Sequence, residues 1–191
     1  MSTSRSSYCS ENFYQPVQED NGYGKTKKTD SMDTLDEVEG STLYVGTYAN
    51  GGYRNITLCT STSTTGDCPD VLNAFERVDP ISPYKSHLNL YASYPGIWAS
   101  HLRLLRVSDG EHTFQAQFTY LFPYGHGKNT TGFEMWEPGL SEAIMKFVVE
   151  GEGEEKRVVG IGMYRMSGDV SERQRLGGTV QETADVWWVP A

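Results

Sequence analysis

The feature that most constrains this chain is the segment from Trp98 to Phe122, which reads WASHLRLLRVSDGEHTFQAQFTYLF. Apolar and polar residues alternate in two runs, and the turn Ser108-Asp109-Gly110 separates them. An Asp-Gly dipeptide between two alternating runs is the strongest short-range signal of a β-hairpin. The segment therefore predicts a long antiparallel hairpin.

Each arm of this hairpin has two chemically different faces, because side chains on a strand point alternately to opposite sides. On the first arm, His101 and Arg103 share one face, and Leu102 and Leu104 share the other. The second arm is strongly aromatic on one face, which carries His112, Phe114, Ala116, Phe118, Tyr120 and Phe122. A sheet built in this way can bury one face and present polar groups on the other.

Short alternating segments bounded by Gly, Pro, Asn or Ser recur along the rest of the chain. Residues 123–138 contain Gly and Pro at several positions and are predicted as a loop. No segment is predicted as a helix. The total of eight or nine antiparallel strands favours an all-β up-and-down barrel, which removes exposed sheet edges, over a β-sandwich. Besides the hairpin, the predicted strands are residues 43–48, 53–59, 71–78, 87–94, 143–149, 158–166 and 184–189.

The N-terminal part of the chain differs in composition from the remainder. Residues 1–40 are rich in Ser, Thr, Asp, Glu and Lys, and such a segment cannot bury enough apolar surface to order itself. We therefore expect a polar, disordered tail over residues 1–40 and a single barrel domain over residues 41–191.

The charge balance restricts the classes of partner. The chain has 25 acidic and 16 basic residues and a formal charge of -9, which argues against nucleic acid, because that partner attracts basic patches. No apolar run is long enough for a membrane-spanning helix, and the first residues lack the apolar core of a signal peptide. We therefore expect no membrane insertion and a cytoplasmic location.

The cysteines and histidines give no support for a metal site. Cys9, Cys59 and Cys68 show no metal-like spacing, and the four histidines form no paired ligand motif. Cys59 and Cys68 could close a short loop in an oxidising compartment, whereas in the cytosol they would stay reduced. We favour free thiols.

Several short motifs along residues 40–166 are shared with a known group of proteins. With them, the chain resembles the C-terminal lipocalin-like domain of fungal β-lactamase-related serine hydrolases, and Gly46-Thr47-Tyr48 is similar to the Gly-x-Trp opening of calycin barrels. This resemblance implies a lipocalin-like, calycin-type β-barrel of eight to nine strands. The motifs are Tyr44-Val45-Gly46-Thr47-Tyr48, Gly52-Tyr53, Thr57-Leu58-Cys59, Leu90-Tyr91, Ile97-Trp98, His101-Leu102, Asn129-Thr130-Thr131, Phe133-Glu134 and residues 158–163.

The chain departs from that family in its hydrolase part. We expect a free-standing relative, because the first 40 residues could not hold a hydrolase domain. A Ser-x-x-Lys pattern does occur at Ser82 and Lys85, but Pro83 places it in a predicted loop rather than at the start of a helix. We interpret this short pattern as a coincidence and do not expect a serine hydrolase.

The candidate catalytic residues are His101, Arg103 and Tyr120. If their strands turned these side chains into the barrel, the imidazole or phenol could hydrogen-bond a ligand oxygen, and the guanidinium could stabilise developing negative charge. The alternative is that the face with His101 and Arg103 lies outside and is solvated, as charged residues mostly are. The candidate substrate-binding residues are Tyr48, Trp98, Phe114, Phe118, His126, Trp136 and Arg165, for which core packing or a surface position is the alternative.

These observations lead to two functional hypotheses. The first is a cofactor-free cyclase or pericyclase of fungal secondary metabolism, of the Diels-Alder or hetero-Diels-Alder type, acting on an apolar small molecule in the barrel. Such a reaction needs a shaped pocket and a polarising hydrogen bond, and it needs neither a nucleophile nor a cofactor. The second is a non-catalytic lipocalin-like carrier, or an accessory domain that binds an apolar ligand or a hydrolase partner. A homodimer is compatible with either hypothesis.

Overall fold

The computed structural model describes residues 41–78, 89–96, 99–107, 112–127, 130–136, 142–164, 173, 175 and 177–191. Several sequence predictions fall outside these ranges and are not compared with the structure. They concern the tail over residues 1–40, the turn at residues 108–110, the Ser82/Lys85 pattern, and the candidate site residues Trp98 and Arg165.

Nine β-strands form the framework of the described chain. They are connected by hairpin turns and by two segments that carry short helices. The strands are β1 (Gly46–Ala49), β2 (Ile56–Leu58), β3 (Leu90–Ser93), β4 (His101–Arg106), β5 (Thr113–Phe122), β6 (Phe133–Met135), β7 (Glu142–Glu150), β8 (Arg157–Tyr164) and β9 (Val186–Pro190). The helices are α1 (Cys68–Val78), α2 (Val180–Thr183) and a single 3₁₀ turn (Gly153–Glu155).

The strands form one antiparallel sheet that curls into a nearly closed barrel. Its order is β2-β1-β9-β8-β7-β5-β4-β3, and β6 extends the far end of β5 outside this sequence. The two outermost strands, β2 and β3, are joined as well. Cys59, the residue after β2, exchanges two backbone hydrogen bonds of 2.8 Å with Tyr91 of β3. The predicted all-β antiparallel barrel of eight to nine strands is therefore confirmed.

The predicted long hairpin is present as β4 and β5. The pairing runs from His101 opposite Thr119 to Arg106 opposite Phe114. This register keeps alternate residues of both strands on the same side of the sheet, so the face with Leu102 and Leu104 meets the aromatic face of β5.

The barrel interior is a packed apolar core to which all eight barrel strands contribute. Each fully buried large apolar side chain contributes about 1.5–3 kcal/mol to stability, so this core is the main source of the fold's stability. Its members include Tyr48, Ile56, Leu58, Leu90, Leu102, Leu104, Phe114, Phe118, Met145, Phe147, Ile161, Met163, Val186 and Trp188.

The predicted strand over residues 71–78 is wrong, because this segment is part of helix α1. Its apolar residues recur at helical rather than strand spacing, and the helix buries Val71 and Phe75, one turn apart. These two side chains form a second, smaller core with Tyr91 and Leu121 on the outer face of the barrel. No helix in the described ranges has both the length and the apolar character needed to span a membrane.

The expectation of free thiols is also wrong for two of the three cysteines. Cys59 and Cys68 form a disulfide with Cα atoms 5.6 Å apart. The bond joins the residue that follows β2 to the first residue of α1, so it ties the helix to the strand pair that closes the barrel.

Candidate functional site

One cleft of the described chain lies at one end of the barrel, between two hairpin turns. The turn between β1 and β2 and the turn between β3 and β4 lie at the same end, because β2 and β3 are antiparallel neighbours. The cleft has a volume of about 230 Å³ and is open on one side. We call it the mouth cleft; its lining is Gly52, Tyr53, Arg54, Asn55, Tyr94, Pro95 and Gly96.

Asn50 organises the first of these turns. Its side-chain oxygen accepts hydrogen bonds of 2.7 Å from the backbone N–H groups of Gly52 and Tyr53, which is the Asx geometry that replaces a backbone turn. Its side-chain amide donates to the carbonyl of Trp187 over 2.8 Å. The turn is therefore fixed to β9 as well as to itself.

Arg54 connects both sides of the mouth cleft. Its backbone φ is 65°, and it is the only non-glycine residue of the described chain with a positive φ. Its carbonyl accepts a hydrogen bond of 3.0 Å from the indole N–H of the core residue Trp188. Its guanidinium Nη1 donates to the carbonyl of Pro95 over 3.0 Å, so the side chain bridges from the first turn to the second.

The aromatic walls of the mouth cleft rest on the barrel core. The ring of Tyr53 meets Trp188 edge-on at 6.2 Å, and the ring of Tyr94 meets Phe118 edge-on at 5.1 Å. Edge-to-face aromatic pairs add stability beyond the area that they bury. The cleft therefore has an apolar, preformed wall with one cationic side chain beside it. Of the predicted substrate-binding residues, Phe118 lies directly behind this wall.

The predicted catalytic pair His101 and Arg103 does not lie in the barrel interior. Both residues are on the outer face of β4, where Phe75 of α1 covers them: its ring centroid is 5.5 Å from that of His101 and 5.1 Å from the Arg103 guanidinium carbon. Arg103 is 8% exposed and pairs with Glu134 over 3.1 Å. The face is thus outside, as the alternative held, but it is not solvated, because α1 and β6 lie on it.

The surroundings of His101 indicate a role in packing rather than in catalysis. Its Nδ1 and the Ser100 hydroxyl are 2.8 Å apart. Burial lowers the pKa of His101, and the Glu134 carboxylate partly opposes this effect. A neutral imidazole beneath a helix stabilises the packing of α1 and is separate from the mouth cleft.

Phe114 lies at the opposite end of the barrel, which we call the closed end, and the side chain of Tyr48 contacts Phe147 and Tyr44 there. There Tyr44, just before β1, fills the interior: its ring contacts Phe114 and Phe147 at 5.1 and 4.8 Å, and its hydroxyl shares a hydrogen bond of 2.7 Å with Nδ1 of His112. The Tyr48 hydroxyl donates to the carbonyl of Tyr44 over 3.0 Å. Burial, with a smaller effect from Tyr44, raises the pKa of Tyr48 to about 12. Tyr48 and Phe114 are enclosed core residues.

The three remaining candidates lie along β5 and β6. Tyr120 is half-buried and pairs with Met135. His126 is exposed and packs on the ring of Phe133 at 4.7 Å, and Trp136, the residue after β6, is exposed. None of them belongs to the lining of the mouth cleft.

Sequence reasoning named none of the described lining residues of the mouth cleft as candidate site residues. The turn signal at residues 50–52 was recognised, but the pattern gave no indication that Arg54, two residues later, adopts a positive φ and spans to Pro95. In the part of the chain that the structure describes, no group of three or more His, Cys, Asp or Glu side chains is placed to hold a metal ion.

Comparison with known proteins adds no relative to this description. No family model, no curated protein and no solved structure matches the chain. The class that the fold defines is therefore an up-and-down antiparallel barrel with one closed end and an aromatic cleft at its mouth.

Proposed function

We propose that this barrel binds a small, largely apolar molecule in the mouth cleft. The observation that carries the proposal is the aromatic wall of Tyr53 and Tyr94, which is preformed because both rings pack on core residues. Ligand sites are typically concave, mostly apolar and supplied with a few polar groups. At about 230 Å³ the cleft is below the usual range of about 300–1,000 Å³, so a bound ligand would stay partly exposed.

The reaction that we propose for this site is a cofactor-free cyclisation of the Diels-Alder or hetero-Diels-Alder type. Such a closure converts π bonds into σ bonds within the substrate and releases no atoms. The protein then has to hold the two reacting ends close together and to polarise one of them. The rings of Tyr53 and Tyr94 would supply the shape, and the Arg54 guanidinium would donate a hydrogen bond to a carbonyl or phenol oxygen.

The assignment to fungal secondary metabolism rests on the resemblance to the lipocalin-like domain of fungal serine hydrolases. A barrel of this kind, acting apart from a hydrolase domain, would need only its own pocket. The carrier hypothesis has a specific observation in its favour: the described residues of the cleft lining include no histidine and no carboxylate, and the predicted pair His101 and Arg103 lies elsewhere. A site without an acid–base pair suits binding as well as a pericyclic step.

The cytoplasmic location and the homodimer remain proposals. Disulfides persist mainly in oxidising compartments, so the Cys59–Cys68 bond is an argument against the cytoplasmic location. Both cysteines are buried, at 1% and 2% exposure, which would shield the bond from cytosolic thiols. Alkylating free thiols in a fresh extract of the source organism, before and after reduction, would report whether the bond is present there.

Binding can be tested with N-phenyl-1-naphthylamine, an uncharged probe that becomes fluorescent in apolar sites. We expect saturable binding, and at least a tenfold weaker affinity for Tyr94→Ala, because stacked aromatic area is lost (about 1.4 kcal/mol per tenfold). Trp136→Ala is the matched control, since it removes an exposed aromatic side chain outside the cleft lining. Equal affinities for wild type and Tyr94→Ala would refute the site.

Turnover can be tested separately from binding. The protein would be incubated with candidate polyenes and quinone methides, and the ratio of cyclised isomers would be measured against the uncatalysed reaction. A ratio that shifts with wild type and returns to background with Tyr94→Ala supports the cyclase. Binding without any change in rate or ratio supports the carrier.

A further inference from the structure

The charge of the mouth cleft is opposite to the charge of the whole protein. The chain has a formal charge of -9, yet among the described residues that line the cleft there is one cation, Arg54, and no carboxylate. Local charge of this kind draws ligands of the opposite sign, because a charge in a cleft is less screened than one on an open surface. The remaining lining is aromatic, small or neutral: Gly52, Tyr53, Asn55, Tyr94, Pro95 and Gly96.

The backbone of Arg54 adopts a conformation that is unfavourable for a residue other than glycine. A non-glycine residue at a φ of 65° costs on the order of 1–3 kcal/mol, and such residues cluster at sites of function. Here the hydrogen bond from Trp188 to the Arg54 carbonyl fixes the backbone, and the bond from Nη1 to Pro95 fixes the side chain. The cation is therefore held at one place on the rim of the cleft instead of moving freely in solvent.

We infer that Arg54 is the anchor for an acidic group on the ligand, so that the mouth cleft takes flat, conjugated acids. This inference rests on the proposed function, and it narrows the ligand class to molecules with a carboxylate, a phenolate or a similar anionic oxygen. The apolar part would lie against the rings of Tyr53 and Tyr94. The guanidinium, with one nitrogen on Pro95, retains further N–H donors that can pair bidentately with a carboxylate.

Two fluorescent probes separate the anchor from the apolar cleft. They are 1-anilinonaphthalene-8-sulfonate and N-phenyl-1-naphthylamine, which share one ring system and differ in the sulfonate. We expect Arg54→Gln to weaken binding of the sulfonate probe by about tenfold, since a charge-assisted contact is lost. The same variant should change binding of the uncharged probe by less than about twofold, because the aromatic wall is retained.

Arg157→Gln is the matched control, because it removes the same charge at the opposite end of the barrel. Arg157 is an exposed residue at the start of β8, and its ion pair with Glu150 is also exposed. This variant should leave both affinities unchanged. Arg54→Lys, which keeps the charge but cannot form the bidentate contact, should fall between wild type and Arg54→Gln for the sulfonate probe.

The outcomes distinguish the inference from the proposed function. If Arg54→Gln weakens both probes equally, or neither, or if Arg157→Gln matches its effect on the sulfonate probe, Arg54 is not an acid anchor and the inference is overturned. Uncharged-probe binding that depends on Tyr94 would then still support the apolar site. If wild type binds neither probe, the proposed function and the inference both fail.

Discussion

The two ends of the barrel differ in the parts of the chain that form them. At the closed end, Tyr44 is inserted between Phe114 and Phe147, and large aromatic side chains from the strands leave little space. At the mouth, turns rather than strands supply the lining, and a strained Arg54 bridges them. Stability is thus concentrated where side chains fill the interior, and the proposed binding site lies where the backbone turns.

This difference follows from how a small barrel uses its residues. An interior of about eight strands is just wide enough for side chains to fill, so a ligand can enter only where the filling stops. In this chain it stops at Trp188 and Phe118, whose outward partners Tyr53 and Tyr94 are the walls of the mouth cleft. Variants at the two ends should therefore change different measured quantities.

The largest contrast is expected between Phe147→Ala and Tyr53→Ala. Phe147 is 4% exposed and contacts three aromatic rings, so its truncation should lower the free energy of unfolding by about 3–5 kcal/mol. Tyr53 is 37% exposed, and its truncation should cost about 1 kcal/mol or less. Urea denaturation monitored by circular dichroism measures both values.

Binding of N-phenyl-1-naphthylamine should show the reverse order for these two variants. Tyr53→Ala removes a wall of the cleft and should weaken the probe, whereas folded Phe147→Ala should retain wild-type affinity. Similar stability losses at the two positions would contradict the division between a closed, stabilising end and an open, binding end.

The second contrast concerns the disulfide between Cys59 and Cys68, which lies beside the backbone bridge that joins the two outermost strands. Replacing both cysteines, Cys59→Ser with Cys68→Ser, should lower the free energy of unfolding by about 2–4 kcal/mol, because the unfolded chain regains the freedom of the loop. The probe affinity of the folded variant should not change, since neither residue lines the mouth cleft. Denaturation with and without a reductant checks the result: wild type should lose stability on reduction, and the double variant should be insensitive to it.

The fold could be predicted from the sequence because its strongest signals are local. The Asp-Gly turn and the alternation on both sides of it predicted the β4–β5 hairpin, and turn residues placed most other strands within a few positions. Helix α1 was missed although Val71 and Phe75 have helical spacing, because the wrong period was assigned to this short segment. The disulfide was missed because free thiols were expected from a cytosolic location, although the spacing of Cys59 and Cys68 allows a short loop to be closed.

The candidate site was predicted much less well, because which face of a strand is inside is a tertiary property. The pairing of His101 with Arg103 on one face was correct, but α1 covers that face from outside. Arg54 gave no signal, since a positive φ at arginine is imposed by bonds to Trp188 and Pro95, which are distant in the sequence. Local patterns indicate elements, whereas clefts arise between elements.

A third contrast uses the pH dependence of stability. Burial, together with Arg106 and Lys156, lowers the pKa of His112 at the closed end. The unfolded chain, with a His pKa of about 6.5, therefore binds protons more readily than the folded chain. The stability that neutral His112 contributes is present above about pH 6.5 and is lost as the pH falls towards the lowered pKa of the folded state.

This effect should be smaller than the first two and can be isolated with His112→Asn. Urea midpoints measured between about pH 5 and 8 should fall at low pH for wild type and fall less steeply for the variant. His101 has a lowered pKa for a similar reason, so His101→Asn is the matched comparison at the outer face. Identical pH slopes for wild type and His112→Asn would remove the closed end as a source of acid sensitivity.

The smallest change in stability is expected at the mouth, for Arg54→Gly compared with Arg54→Gln. Both variants lose the hydrogen bond to Pro95, which is worth about 0.5–1.5 kcal/mol, but glycine also removes the cost of a φ of 65°. The free energy of unfolding of Arg54→Gly should therefore lie within about 1 kcal/mol of the wild-type value. Arg54→Gln should be the less stable of the two variants. If the order of the two variants in urea denaturation were reversed, the turn would not hold Arg54 in a strained conformation. With the expected order, a side chain at position 54 carries a backbone cost that glycine avoids, and the contact of the arginine with Pro95 has to offset that cost in the native protein.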